Sequence, residues 1–386
     1  MSLYEIVILG DDRHSERARL KTTLVEMLQD LDLQLGREVT FREHADVQNR
    51  DNKAATGCVY FGGAPGNDIA IVERLIYDGH PVIPVICDGQ TFDADIPESL
   101  RPLNGVKVHS KDPQLVELST ALLECVGLLR RQRRVFISYR RTEARRAAQQ
   151  LHDELAAKGF DVFLDTHDIR PAEPFQDVLF HRLCDSDVMV MLDTPSYAAS
   201  RWTQLELGRA LAKEIHILRV VWPDHTPSPL TSMSQTLFLA GGDISSATGE
   251  INSGALDQIL LAVERIRSRS IAVRYRSIAG KLRADMARIN AKVEGRGAHG
   301  AIAIEMMNQK KVWAYPVVGI PTAETLHDVA EKASMSEQSG LPILVYDHVG
   351  IHDAWATHLK WLDAQIQCVR AVKVSDAAYD FVNLGC

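Results

Sequence analysis

Short apolar runs alternate with longer stretches of helical periodicity along most of the chain. In the N-terminal third, residues 4–10, 39–43, 58–61, 81–87 and 106–109 read as strands, and 15–35, 68–77 and 113–129 as helices. The middle repeats that order, with strands at 135–139, 161–165, 188–192, 215–222 and 236–240 and helices over 143–158, 175–184 and 202–213. Strands this apolar need cover on both faces, so each third predicts a parallel sheet wrapped by helices. A Gly/Ser/Asp-rich stretch at 241–254 marks a boundary, and 255–293 is helical in pattern, with a break expected near Gly280. Beyond Gly297, strands are expected at 312–318, 341–346 and 368–374 and helices at 323–333 and 354–364. Three regions follow: an α/β module at 1–128, a second at 134–242, and a helical plus α/β region at 255–386.

The middle region carries four motifs in a fixed order. They are Val135-Phe136-Ile137-Ser138-Tyr139-Arg140-Arg141, then Gly159-Phe160-Asp161-Val162-Phe163-Leu164-Asp165, then Ser196-Tyr197-Ala198-Ala199-Ser200-Arg201-Trp202, then Trp202-Thr203-Gln204-Leu205-Glu206. Together they resemble a bacterial TIR (Toll/interleukin-1 receptor) domain over roughly 110 of the 386 residues. The resemblance implies a flavodoxin-like parallel sheet, and it makes Trp202 to Glu206 the W-x-x-x-E element whose glutamate is catalytic in NAD-cleaving members. The N-terminal module repeats the element order, and Glu73 lies nine residues before Val82 as Glu206 lies nine before Ile215. That module is expected to be a divergent TIR-like or flavodoxin-like unit, because Ile69 stands where Trp would. Its Gly62-Gly63-Ala64-Pro65-Gly66 turn is either a phosphate cradle or a plain turn, having neither G-x-G-x-x-G spacing nor a P-loop lysine.

The chemistry explains the carboxylate. Breaking the nicotinamide–ribose bond leaves positive charge on the sugar, and a negative group below the anomeric carbon stabilises or attacks it. The nicotinamide ring is already cationic before it leaves, so no second acid is required to protonate it. Glu206 is the expected catalytic residue, with Trp202 one helical turn before it as an apolar wall. Ligands of open α/β sheets sit beyond the carboxyl ends of the strands. Ser138, Tyr139, Arg140 and Asp165 are therefore expected to bind substrate, Trp202 and Tyr197 of the motifs join that set, and Asp193 ends the third strand. Tyr139 would stack on a base or on nicotinamide, while Arg140 or Arg141 takes a pyrophosphate or forms a solvated helix start. The loop from 166 to 175 matches the family's BB loop, which in related proteins packs on a neighbouring TIR domain. Asp168, Pro171 and Phe175 are its expected assembly residues, although Pro171-Ala172-Glu173-Pro174 replaces the usual proline-glycine pair.

Composition narrows the remainder. A net charge of -8 argues against a surface that binds nucleic acid throughout. Between Ala255 and Arg296, however, ten Arg/Lys face four Asp/Glu. That helix either presents a basic face to nucleic acid or packs on acidic neighbours. The cluster Arg130-Arg131-Gln132-Arg133-Arg134 reads as a solvated linker. No apolar run reaches the 18 or so residues that span a bilayer, and no signal segment opens the chain, so a cytoplasmic protein is expected. The six cysteines form no C-x-x-C pair, and no zinc site is expected of them. Asp347, His348, His352, Asp353 and His358 are either loop and cap residues or a metal cluster, the former favoured. NAD+ is expected as substrate, with no cofactor and no metal. Expected partners are other copies through the TIR domain, and an activating protein or nucleotide signal. The alternatives to a defence-type NAD+ glycohydrolase are a non-catalytic scaffold and a cyclase making a cyclic ADP-ribose.

Overall fold

Seven consecutive residues of the first strand, Tyr4–Gly10, are all buried, as are all seven of Ala55–Phe61 and all six of Val188–Asp193. Strands buried on both faces have no polar alternation, which is why they stand out as apolar runs. The computed structural model describes residues 2–63, 68–109, 112, 114–164, 175–227 and 234–384. It divides into two compact units: residues 1–130 with 295–303 and 331–339, and residues 131–294 with 304–330 and 340–386.

In the first unit, β1 (Tyr4–Gly10), β2 (Val39–Glu43), β3 (Ala55–Phe61), β4 (Val82–Ile86) and β5 (Val106–Lys107) lie in the order β2-β1-β3-β4-β5, every pairing parallel. The helices are α1 (Glu16–Asp30), α2 (Ile69–Tyr77), the four-residue α3 (Phe92–Asp95) and α4 (Val116–Cys125). Gly10 closes β1 with φ +92°, and a Cβ there would stand 2.0 Å from the Phe61 carbonyl oxygen. Only glycine lets the ends of β1 and β3 approach this closely.

The second unit begins with β6 (Arg134–Ser138), α5 (Arg141–Ala157), β7 (Asp161–Leu164), α6 (Phe175–Asp185), β8 (Val188–Asp193), α7 (Arg201–Ala212), β9 (His216–Val221) and β10 (Gln235–Phe238). Its strands order as β7-β6-β8-β9-β10, again wholly parallel. The repeat anticipated from element order is thus a repeat of topology, 2-1-3-4-5 in both sheets, the flavodoxin-like winding.

One face of the second sheet is covered by α6 and α7. The other is covered by α5 and by the first half of α8 (Ser253–Arg288), whose Leu256, Ile259, Leu260, Val263 and Ile266 join one core with Val135, Ile137, Leu151 and Val190. Each such aliphatic side chain contributes about 1.5–3 kcal/mol by leaving water. The region after residue 254 therefore starts inside the middle unit's core. Two of its arginines are used for packing: Arg267 is fully buried and its Nε donates to the equally buried Asp187 at 3.0 Å, and Arg274 donates to the carbonyls of Ser186 and Cys184 at 2.7 and 2.8 Å. Arg269, Arg276, Lys281, Arg283 and Arg288 of the same helix are exposed. α8 does not break at Gly280; it runs unbroken for 36 residues.

Two further expectations change. Arg133 and Arg134 are not a solvated linker, since Arg133 pairs with the buried Glu264 and lies 4.6 Å above the Phe160 ring, while Arg134 pairs with Asp185 and Asp161. The third sheet, β11 (Lys292–Arg296), β12 (Ile302–Glu305), β13 (Lys311–Val317), β14 (Pro342–Tyr346) and β15 (Arg370–Lys373), runs in simple sequential order and has two strands that the sequence pattern does not predict. The helices α9 (Ala323–Met335), α10 (Asp353–Gln365) and α11 (Ala377–Leu384) complete it.

Candidate active site

Three side chains from three segments meet beyond the carboxyl end of the second sheet. Ser138 closes β6, Tyr197 opens a short 3-10 turn after β8, and Glu206 lies in the second turn of α7. The Ser138 hydroxyl donates to Glu206 Oε2 and shares a 2.7 Å hydrogen bond with the Tyr197 hydroxyl. All three are buried, Glu206 to 5% exposure.

Local chemistry fixes the turn that brings them together. Thr203 Oγ1 donates to the Tyr197 and Ser200 carbonyls at 2.6 and 3.0 Å, and Gln204 Nε2 donates to the Ala198 carbonyl at 2.6 Å. These bonds from the first turn of α7 clamp the preceding loop, so Tyr197 and Glu206 share one frame. Burial, reinforced by the nearby Glu206 charge, pushes the Tyr197 phenol far above its ordinary range, which keeps it a neutral hydroxyl. A buried carboxyl group that accepts from a serine hydroxyl is shielded from water, and as a carboxylate it is suited to meeting positive charge.

The other expected site residues are placed as follows. Trp202 stands at the rim, 49% exposed, while Glu206 one turn later points inward. Tyr139 is not available for stacking on a ligand: at 5% exposure it is part of the core formed by α5 and α8. Ser138 and Tyr139, being successive, face opposite sides of the sheet, and only the serine faces α7. Arg140 is half-buried and donates to the Ser196 carbonyl at 3.0 Å; Glu143 accepts from the Ser196 backbone at 3.2 Å. These contacts fasten the loop after β8 to the loop after β6. Asp165, Asp168 and Pro171 lie outside the described residues, and Phe175 is described only as the first residue of α6.

Sequence reasoning missed His225. Its Nε2 lies 3.2 Å from Asp193 Oδ1 at the end of β8, and Asp193 Oδ2 is buried with no hydrogen-bond partner among the described residues. Burial raises the Asp193 carboxyl, with His225 opposing the shift. The strand-end rule was the available signal, because His225 follows β9 as Asp193 ends β8.

The corresponding position of the first unit is different. Glu73 is solvent-exposed on α2, so the repeat does not extend to a second buried glutamate. Most of the glycine turn after β3, residues 64–67, lies outside the described residues. In the third sheet, Asp347 pairs with Lys213 at 2.8 Å, His352 caps α10 by accepting from the Ala354 amide at 3.1 Å, and the His358 ring lies 5.9 Å from that of Trp361. These residues serve caps, an ion pair and packing.

A family model described as TIR domain matches residues 135–249. No curated protein sequence matches the chain. Among solved structures, a CMP N-glycosidase of Clostridium botulinum is 18% identical, covering 28% of this chain and 88% of that one with a TM-score of 0.22. A lac repressor dimer bound to operator is 13% identical over 70% of this chain and 87% of its own, with a TM-score of 0.19. A LacI-family regulator from Lactobacillus casei with bound glucose is 12% identical over 70% and 94%, with a TM-score of 0.17. Likenesses this distant say nothing of function.

Proposed function

The middle of this chain is a TIR domain, and from that premise we propose that the protein is an NAD+ glycohydrolase cleaving the nicotinamide–ribose bond at Glu206. The observation that carries the reading is the setting of that glutamate, buried at the sheet's carboxyl edge with the Ser138 hydroxyl donating to it and Tyr197 completing the chain of hydroxyls. The glycosidic electron pair leaves with nicotinamide, which becomes neutral. Positive charge develops on the anomeric carbon, and the Glu206 carboxylate stabilises or captures it. Water then adds to that carbon and loses a proton, giving ADP-ribose. One carboxylate suffices because the leaving group needs no protonation.

An unrestrained activity of this kind drains a cell of NAD+, so it fits a regulated bacterial defence effector switched on by self-association. The test is release of nicotinamide by the full chain and by Glu206→Gln, which keeps the volume and removes the charge. Loss of a group that stabilises transition-state charge costs on the order of 10²–10³ in rate. The variant should lose at least the lower figure while melting like the parent. Undiminished turnover at unchanged melting temperature would remove Glu206 from the mechanism.

A second reading, a TIR module that only scaffolds, is favoured by the half-exposed Trp202 and the exposed Leu205 on α7. It predicts self-association with no nicotinamide release at any protein concentration.

A further inference from the structure

The carboxyl edge of the first sheet gathers a histidine, a cysteine and a carboxylate from distant parts of the chain. His14 lies in the loop after β1, Glu16 begins α1, and Cys87 directly follows β4. One ligand atom from each lies within 4.8 Å of the others. A tetrahedral zinc holds neighbouring nitrogen, oxygen and sulfur donors roughly 3.3–3.8 Å apart, by its bond lengths of about 2.0–2.3 Å. The three groups are therefore within a small side-chain adjustment of a coordination shell. We propose that the N-terminal unit binds one divalent cation of the zinc class through His14, Glu16 and Cys87.

A second set of contacts holds the ligands as a metal site needs. His14 Nε2 lies 2.9 Å from the Gly62 carbonyl and 3.2 Å from Gln90 Nε2, and in the tautomer whose Nε2 proton goes to the carbonyl the ring presents Nδ1 to a metal. Gln90 binds the cysteine's segment to the same carbonyl: its Oε1 accepts from the Cys87 amide at 2.8 Å and its Nε2 donates to Gly62 at 2.8 Å. Gly62 thus anchors both the histidine and the cysteine loops. The cluster is sheltered, with the His14 and Glu16 side chains 17% and 19% exposed and Cys87 buried.

The donor set decides the metal class. One imidazole, one thiol and one carboxylate favour a borderline cation over calcium or magnesium, which prefer oxygen alone. On binding, the thiol gives its proton to solvent and the thiolate becomes the ligand. Three protein ligands leave a fourth position for water or a small ligand. Glu16 is the weakest member, because Arg19 already pairs with its Oε1 and Ser15 donates to its Oε2 at 3.2 Å.

The test uses the full-length protein stripped with a chelator and titrated with Co2+. A site of this composition gives a thiolate-to-cobalt charge-transfer band that saturates at one equivalent and is abolished by Zn2+. Cys87→Ser should lose the band, His14→Ala should weaken binding by tenfold or more, and Glu16→Gln by less. Cys368→Ser, at an exposed cysteine, should change nothing. Metal-free melting of each variant separates lost binding from lost fold, and Glu16→Gln, at the start of α1, keeps the test available if a buried substitution unfolds the unit. Absence of a one-equivalent end point, or an unchanged titration in folded Cys87→Ser and His14→Ala, overturns the proposal.

Discussion

Ser138 is the smallest member of the candidate site and the most exacting. Its hydroxyl donates to Glu206 Oε2 and touches the Tyr197 hydroxyl, so it both satisfies the carboxylate and fixes its direction. A hydrogen bond to a charged group contributes about 1.5–3 kcal/mol. If Ser138 acts on the reacting carboxylate, Ser138→Ala should lower kcat by roughly one to two orders of magnitude and leave KM close to the parent's. Steady-state kinetics on NAD+ decide it; a raised KM with unchanged kcat would instead make Ser138 a substrate contact. The W-x-x-x-E spacing marks Glu206, and the strand-end rule marks Ser138. Neither distinguishes Ser138 from Tyr139, because the motif is a string and the sheet has two faces. His14, Glu16 and Cys87 escape the sequence for a related reason: the cysteine is more than seventy residues from the other two, and only the parallel order of β1, β3 and β4 brings them to one edge.

At the scale of elements, burial decides what is legible. Strands with both faces covered announce themselves as apolar runs, and the sequence pattern locates β1, β3, β8 and β9 to within a few residues. By contrast β11, Lys-Val-Glu-Gly-Arg, has no fully buried residue, and β12 is only four residues long. β11 forms no apolar run, and β12, Ile-Ala-Ile-Glu, is too short a run to mark a strand by pattern alone. The long helix α8 continues through Gly280 because glycine's intrinsic preference is a weak prior against packing on both sides of it in sequence. Ala279 and Leu282 are buried, whereas Gly280 is exposed and a Cβ there would meet nothing within 4 Å. Gly280→Ala should therefore stabilise the second unit by up to about 1 kcal/mol, raising its melting temperature by about 2–4 °C. An unchanged or lowered melting temperature would mean that the helix is not continuous there in solution. The buried Asp187–Arg267 pair makes the docking of α8 specific rather than merely greasy: removing one partner strands a buried charge at a cost of roughly 3–5 kcal/mol.

For the whole molecule, the TIR match occupies residues 135–249, and folded structure extends on both sides of it. Among the described residues no helix is long and apolar enough to cross a membrane. The TIR resemblance implies control by side-by-side association, as in the proposed function. On α7, Trp202 and Leu205 stand exposed one turn apart, close in sequence to the inward-facing Glu206. A neighbouring copy covering them would shield the entrance to the carboxylate and exclude water from it, which strengthens its effect on a developing cation. Association of this kind makes the active species concentration-dependent. Nicotinamide release per molecule should accordingly rise with protein concentration, in step with oligomer mass measured in the same buffer. Trp202→Ala should move both curves to higher concentration together, as expected if the indole packs between copies. Specific activity that stays constant while the protein remains monomeric would eliminate control by assembly and leave a hydrolase complete in one chain.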